Sequence, residues 1–160
     1  AYEKYPAVGI NWVVFDSNGH KTKPTAQGGL ITANYTRVRK DYNNKTNLHI
    51  KSIVNPKKVV GIYNPHYAIY KYDKFAVNEK FKTIYGPFTE NNSVNRIRIN
   101  HYYSKSEEEY VKKTARGNAD SDKKREYFEE YVNFSEYTYD YAIQKYLPEL
   151  KKRMNIKEDN

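Results

Sequence analysis

Two features are absent from this sequence: cysteine and long hydrophobic runs. Without cysteine, the chain has no disulfide, no thiol nucleophile and no cysteine-ligated zinc or iron–sulfur site. No apolar stretch approaches the ~20 residues that span a bilayer. Residues 1–6 contain no apolar segment of the kind found in signal peptides, so we expect no signal peptide.

Apolar residues are also scarce, at 38% of the chain, but aromatic residues are plentiful. The 18 tyrosines and 6 phenylalanines argue against disorder, because disordered chains are poor in aromatic residues. Tyrosine buries its ring and keeps its hydroxyl in water, so a polar chain can build a core from it. We expect one folded domain over residues 1–154 and a frayed tail over residues 155–160. Tyrosine also stacks on sugars and on bases, so both remain open as ligands.

The chain is basic, since 28 lysines and arginines against 19 acidic residues give a formal charge of +9. The basic residues form short clusters with acidic residues close by, which is typical of solvated helix faces. A dedicated nucleic-acid surface is the alternative, but no RNA-recognition signature, zinc finger or basic zipper is present. We therefore expect no nucleic-acid partner. A nucleotide-sugar diphosphate or an anionic membrane surface also matches this charge.

Hydrophobic periodicity predicts strands over the first two thirds of the chain. The run from Val8 to Phe15 is almost continuously apolar and has the length of a buried strand. Shorter strands are predicted at five further places: residues 30–37, 48–54, 58–63, 67–72 and 95–102.

The last third predicts helices. Ser106 and Glu109 have the spacing of a capping box, and Gly117 has the character of a helix stop, so a helix is predicted between them. Two more helices are predicted over residues 122–133 and 135–154, the second of them bent or split at Pro148. The predicted fold class is α/β, with the order of an α+β protein within this chain, strands first and helices last. That order is typical of part of a larger sheet-and-helix domain.

Acid–base or metal chemistry would depend on the four histidines and the acidic residues. His20, His66 and His101 follow apolar stretches or lie in turn clusters, and the ends of strands are where α/β folds place their sites. A lone histidine is more often structural, so both interpretations stay open for each. Asp120 and Asp122 have the spacing of a metal-binding pair, but no strand precedes them. We interpret them as a helix cap and not as a nucleotide site.

The ordered motifs resemble glycosyltransferase family 92 and the related bacterial family-2-like enzymes, once grouped as a domain of unknown function. The most distinctive segment is residues 99–110, followed by Lys113, Arg116 and Gly117. The other matching segments are residues 11–20, 23–24, 51–56 and 64–66. Each segment alone is weak, but the ordered set covers about residues 9–150 and is fairly specific.

The resemblance implies a GT-A fold and transfer of a sugar from a nucleotide donor to a glycan or another hydroxyl acceptor, with inversion. In that family the nucleotide-binding half, with its metal-binding carboxylates, precedes the segments seen here. The chain therefore resembles the C-terminal, acceptor-side portion of such an enzyme, inactive alone. Mn²⁺ or Mg²⁺ is the implied cofactor, held mostly by the other half. We expect a cytoplasmic enzyme, free or at the inner face of the membrane, with peripheral membrane association of the parent protein.

Individual roles follow from the same resemblance. His101 is the implied metal ligand, because a C-terminal histidine in such enzymes often completes the metal shell beside the carboxylates, or else it holds a strand–helix junction. Lys105 and Arg116 are implied to neutralise the leaving diphosphate, or else they are a surface residue and a helix cap.

The implied acceptor-side residues are Trp12, Asn18, His20 and His66. Within this chain, Asp16 and His20 are the candidate general bases, although the family usually has glycine in place of Asp16. An acidic residue of the other half is an equally good candidate for the base.

Two other function classes stay open. One is a stand-alone carbohydrate-binding module that uses the many tyrosines, and the other is a basic nucleic-acid binder whose affinity falls steeply with salt. The sequence leaves the donor sugar, the acceptor, the linkage and the oligomeric state undetermined.

Overall fold

A computed structural model describes residues 1–117 and 126–156 of this chain. They form two compact units. The first unit contains Ala1–Val13 and Asp41–His101, and the second contains Val14–Lys40 and the described residues from Tyr102 onward. The architecture is mixed α and β, mostly sheet with few helices, so the predicted α+β class is confirmed at this level. The predicted order is not followed throughout, since the helix Ile31–Asn34 precedes most of the strands and the strand Tyr137–Tyr139 follows the helix Glu107–Arg116. Within the described ranges, no helix is long and apolar enough to cross a membrane.

The secondary structure consists mainly of short strands. The strands are β1 (Ala7–Phe15), β2 (Arg37–Arg39), β3 (Ile50–Val54), β4 (Val59–Asn64), β5 (Tyr67–Tyr70), β6 (Ala76–Val77), β7 (Thr83–Ile84), β8 (Ile99–Tyr102) and β9 (Tyr137–Tyr139). The helices are α1 (Ile31–Asn34), α2 (Glu107–Arg116) and α3 (Leu147–Arg153). Strand predictions for β1, β3, β4, β5 and β8 are confirmed within a few residues.

In the first unit, β1 is the central strand. It pairs antiparallel with β3, from Ala7 opposite Val54 to Asn11 opposite Ile50, and parallel with β6 at Val8. A central strand is covered on both faces, which explains its almost continuous apolar run. Gly9 leaves room for two neighbouring side chains, because a Cβ at this position would lie 2.6 Å from Ile84 Cδ1 and 2.7 Å from Ile50 Cδ1 and both side chains would have to shift.

A buried carboxylate organises the loop that leads into β8. Glu79 is 1% exposed and accepts from Ser93 Oγ at 2.9 Å and from the amides of Asn95, Arg96 and Ile97 at 2.6–3.0 Å. Burial raises the pKa of the Glu79 carboxyl, but the four donors outweigh burial and hold this pKa below its usual value.

The second unit combines a small sheet with α2. β2 pairs with the end of β1 at Phe15 opposite Val38, and β9 pairs antiparallel with β2 from Arg37 opposite Tyr139. The predicted capping box is confirmed, since the Ser106 hydroxyl accepts from the Glu109 amide and the Glu109 carboxylate accepts from the Ser106 amide. Gly117 ends the helix with a φ of 78°, a conformation that favours glycine.

Two local predictions are wrong. Residues 31–34 form α1 and not a strand, because the side-chain amide of Asn34 donates to the carbonyls of Ala26 and Leu30 and closes a turn. In place of a helix beginning at residue 135, Tyr137–Tyr139 forms β9, paired with β2. Of the two outcomes expected at Pro148, a bend and a split, the structure has the split: α3 is a separate short helix with Pro148 in its first turn, a position that needs no amide donor.

The helix predicted over residues 122–133 is described only from residue 126. There it is replaced by extended backbone and a short 3₁₀ turn, Glu129–Tyr131. The proposed cap at Asp120 and Asp122 and the tail beyond residue 156 lie outside the described residues.

Glu79→Gln tests the carboxylate that holds the loop before β8. We expect the free energy of unfolding in urea to fall by about 2 kcal/mol, since an amide leaves some of the four donors unpaired. We also expect a change in pH dependence. In the native protein, the stabilisation from the Glu79 carboxylate is fully present above pH 4.5 and is lost as the pH falls through the lowered pKa of Glu79. The variant has no carboxylate at this position, so its stability should not show this loss.

Glu90→Gln is the matched control, because Glu90 is exposed. Equal stability of the two variants near neutral pH would contradict the role assigned to Glu79.

Candidate functional site

The first unit gathers three histidines around the only tryptophan of the chain. The ring centroid of Trp12 lies 5.2 Å from that of His49, 5.3 Å from that of His66 and 4.3 Å from that of His101. We call these four residues the indole–imidazole cluster. Trp12 is 8% exposed, and its Nε1 donates to the carbonyl of Thr46 at 2.5 Å.

Backbone carbonyls fix two of these imidazoles. His66 Nδ1 lies 2.8 Å from the carbonyl of Ile50, and His49 Nδ1 lies 3.1 Å from that of Thr46. A carbonyl only accepts, so each Nδ1 carries a proton, and in the neutral ring Nε2 has the lone pair. Burial lowers the pKa of His66, and the nearby Lys51 and His49 lower it further against the opposing bond to Ile50. His66 is therefore neutral at pH 7.

The cluster does not by itself form a metal site. Within residues 1–117 and 126–156, no group of three or more histidine, aspartate or glutamate side chains could hold a metal ion. His101 lies against the indole of Trp12, with no carboxylate ligand set around it in these ranges. Among the residues that the structure describes, the cluster thus fits the implied Mn²⁺ or Mg²⁺ only as a contributor of a single ligand.

The second unit contains a basic pocket beside α2. Its cavity of about 380 Å³ is lined by Tyr102, Tyr103, Ser104, Lys105, Glu109, Lys112, Lys113 and Arg116. Four of these side chains are cations and one is an anion. The pocket therefore brings together Lys105 and Arg116, the two residues implied to bind a diphosphate, and adds Lys112 and Lys113.

The cations of the basic pocket differ in how firmly they are held. Lys113 Nζ donates to the carbonyl of Tyr103 at 2.7 Å and lies 3.6 Å from its ring centroid. Lys105 pairs with Glu109 at 3.5 Å and has a φ of 57°, a conformation costly for a residue with a side chain and common at functional sites. Lys112 pairs with Glu108. Arg116 is exposed and forms no ion pair with another described residue.

Glu109 is the acidic wall of this pocket. Its carboxylate accepts from Ser106 Oγ at 2.9 Å and from the Tyr35 hydroxyl at 3.0 Å. Burial raises the pKa of Glu109, but bonds from Ser106 and Tyr35 and the charge of Lys105 together lower it. Burial and the bond to this carboxylate raise the pKa of Tyr35 to about 12. Glu109 therefore stays ionised at neutral pH, and the pocket keeps a net positive charge.

The Asp16 carboxylate forms contacts that hold the fold together. It is fully buried and pairs with Arg37 through two nitrogens, at 2.6 Å for Nη2 and 2.9 Å for Nε. It also accepts from the amides of Asn18 at 2.8 Å and Phe134 at 2.9 Å. These contacts occupy the carboxylate, so the geometry does not favour Asp16 as the base that deprotonates an acceptor.

Asn18 and His20 lie in the turn after β1. The side-chain Oδ1 of Asn18 accepts from the amide of Arg37 at 2.8 Å, which joins this turn to β2. His20 is half-buried, and its Nε2 lies 3.0 Å from the carbonyl of Asn34. A carbonyl only accepts, so in the neutral imidazole Nε2 carries the proton and Nδ1 has the lone pair that a general base needs.

The structure brings the predicted residues together in separate groups. Trp12, His66 and His101 belong to the indole–imidazole cluster, Lys105 and Arg116 to the basic pocket, and Asp16 and Asn18 to the turn after β1.

Sequence reasoning missed His49 and Lys112 as members of these groups. Lys112 had a signal, because Glu109, Lys112, Lys113 and Arg116 have the i, i+3, i+4, i+7 spacing of one helix face. His49 had none, because only the pairing of β1 and β3 brings it near Trp12.

Comparison of the chain with protein-family models, with curated proteins and with solved structures finds no match.

The single tryptophan makes protonation of His66 measurable. We expect Trp12 fluorescence to fall on acidification, because a protonated imidazole quenches an indole that it contacts. The midpoint should lie below 6.5, since the pKa of His66 is lowered. His66→Gln should remove that step, as measured by fluorescence titration between pH 4 and 8 at ~25 °C.

His20→Gln is the control for that titration, because His20 contacts Tyr35 and not the indole. An unchanged titration curve in His66→Gln would contradict the assignment.

The contacts of Asp16 predict a structural role. We expect Asp16→Asn to lower the free energy of unfolding by about 3 kcal/mol, because it leaves Arg37 without its buried counter-ion. Glu149→Gln, which removes an exposed ion pair with Arg153 on α3, should change stability little. Urea unfolding measures both. Full stability of Asp16→Asn would return Asp16 to consideration as a base.

Proposed function

We propose that this chain is the acceptor-side portion of an inverting glycosyltransferase, which transfers a sugar from a nucleotide donor to a glycan or another hydroxyl acceptor. The observation that supports this most is the basic pocket, which joins Lys105 and Arg116 with two further lysines beside Tyr103. The ordered motifs from residue 9 to about residue 150 are the second support.

The chemistry of the transfer explains the need for such a pocket. The acceptor oxygen attacks the anomeric carbon as the bond from that carbon to the phosphate oxygen breaks. The nucleoside diphosphate leaves with the bonding electrons and gains negative charge. Fixed cations stabilise that charge in the transition state. Arg116 offers a planar fork for two phosphate oxygens, and Lys105 a point charge.

The proton of the acceptor hydroxyl needs a base. Within this chain we assign that role to His20, because its Nδ1 has a lone pair while the Asp16 carboxylate is occupied. His101 would contribute one ligand to Mn²⁺ or Mg²⁺, which supplies further charge neutralisation at the diphosphate when bound. Trp12, Asn18 and His66 remain proposed acceptor-side residues, and the cytoplasmic location remains a prediction.

Substitution of the basic pocket tests this role. We expect Lys105→Ala and Arg116→Ala each to lower kcat by about 10- to 100-fold, because each removes a charge that acts mainly in the transition state. Release of nucleoside diphosphate is measured with the longest chain that contains this segment and a panel of nucleotide sugars. Lys152→Ala is the control, since Lys152 is exposed on α3, and should retain full activity.

Calorimetric titration of uridine diphosphate with Mn²⁺ tests whether the nucleotide binds to a part of the enzyme outside this segment. Binding by the longer chain and not by this segment supports an acceptor-side portion. Absence of binding by both contradicts the proposal.

A carbohydrate-binding module is the second candidate, favoured by exposed tyrosines at β9. The rings of Tyr139 and Tyr141 are stacked, 6.0 Å apart at an angle of 10°, and Tyr137 lies 5.7 Å from Tyr139. Exposed, parallel rings can stack on sugar faces. Saturable, metal-independent glycan binding by this chain, lost in Tyr139→Ala, would favour the module over the enzyme.

A further inference from the structure

The first unit contains a further cavity, lined by residues of the β6–β7 hairpin and of the loop over residues 85–93. Its volume is about 370 Å³, which lies in the range of small-ligand sites. The lining combines two aromatic rings, two lysines and one glutamate with amide and hydroxyl side chains. It shares no residue with the indole–imidazole cluster or the basic pocket. We call it the hairpin cavity.

The turn of this hairpin is fixed by Asn78, which is 8% exposed. Its backbone amide donates to the carbonyl of Lys82 at 2.8 Å. Its Oδ1 accepts from the amides of Lys80 at 2.9 Å and Lys82 at 3.0 Å. Because Oδ1 is held by two donors, the orientation of the side-chain amide is set. Nδ2 donates to no other described residue, so this side chain in the cavity wall keeps a donor for a ligand.

The aromatic side chains of the lining are exposed on a fixed backbone. Phe88 pairs with His49 in an isolated β-bridge, and the next amide, that of Thr89, donates to the carbonyl of Leu48 at 2.9 Å. The Phe88 side chain is nevertheless 51% exposed, and that of Tyr85 is 76% exposed. Rings held in this way offer apolar faces to a ligand at little cost in conformational entropy.

The far end of the loop is held by buried amides. Asn92 Nδ2 donates to the carbonyl of Trp12 at 3.1 Å and to that of Asn47 at 2.7 Å. The amide of Ser93 donates to Asn11 Oδ1 at 3.1 Å. Both walls of the cavity are thus formed before any ligand arrives, which lowers the entropic cost of binding.

The charge of the lining selects the sign of the ligand. Lys80 and Lys82 are exposed, and neither forms an ion pair with another described residue. Glu90 is the only acidic residue of the lining. The excess of positive charge, on a chain whose formal charge is +9, attracts an anionic group.

We propose that the hairpin cavity binds an anionic sugar unit. The C–H face of the sugar ring stacks on the exposed aromatic rings, and its hydroxyls bond to side chains such as Asn78 Nδ2. Its carboxylate or phosphate pairs with Lys80 and Lys82. Half of the lining side chains carry an amide or an aliphatic hydroxyl, a density that favours a ligand rich in hydroxyls. The site needs neither a nucleotide nor a metal ion, so it is independent of the proposed transfer reaction.

Titration of the chain, followed by protein NMR, tests the ligand class. The probes are digalacturonic acid, its dimethyl ester and glucose 6-phosphate. We expect saturable binding of digalacturonic acid or of the sugar phosphate, and the tighter of the two identifies the anionic group. The uncharged ester should bind at least about tenfold more weakly than the acid. Absence of binding by both anionic sugars overturns the proposal, as does tighter binding of adenosine monophosphate than of either sugar.

Substitutions locate the binding in this cavity. Tyr85→Ala removes a stacking ring, and Lys80→Ala combined with Lys82→Ala removes the cations. Asn78→Asp keeps the acceptor for the two turn amides but replaces the free donor by an anion. Each change should weaken binding of the anionic sugar by about tenfold or more, with the thermal midpoint almost unchanged.

Tyr63→Ala and Lys57→Ala are the matched controls, because both side chains are exposed in the same unit and lie outside the lining. Both should bind as the unaltered chain does. Equal binding by the cavity variants and the controls overturns the proposal. Loss of binding in Tyr139→Ala, with Tyr85→Ala unaffected, assigns the sugar to β9 and also overturns it.

Discussion

Satisfaction of buried polar side chains is the constraint on which this protein most depends. With few aliphatic residues, the chain buries several polar side chains that each have more than one partner. The side-chain amide of Asn11 donates to the carbonyls of Leu48 and His49, and its Oδ1 accepts from the amide of Ser93. Glu79 gathers the loop before β8, and Asp16 gathers the residues around β2. Each of these side chains fixes backbone segments distant in the sequence.

This constraint explains which parts of the fold could be predicted. β1 and α2 were predictable because their signals are local: a continuous apolar run in one, a capping box and a glycine stop in the other. β9 was not, because Tyr137–Tyr139 is a strand only through pairing with β2, about 100 residues earlier in the chain. The helical spacing after residue 135 corresponds to an α-helix only from Leu147 onward, because the pairing of β9 with β2 overrides the weak local preference at Tyr137–Tyr139.

The same division applies to the candidate site. The role of Lys105 and Arg116 in binding a diphosphate was inferred from the family resemblance. Helical periodicity alone could group Arg116 with Lys112 and Lys113 on one helix face. The ring contacts of Trp12 with three histidines could not be predicted, because they depend on the register between β1 and β3 and on the turn at Asn64. The buried contacts of Asp16 could not be predicted either, because its partners Arg37 and Phe134 are 21 and 118 residues away in the sequence.

Glu109 has a consequence for any attempt to change what the basic pocket binds. The same carboxylate caps α2 and forms the wall of the pocket. Glu109 is the only acidic residue in the lining, and replacing it with a residue other than glutamine also removes the side-chain half of the capping box, while Ser106 still accepts from the amide of residue 109. A change of ligand preference at this one residue therefore also changes the stability of α2.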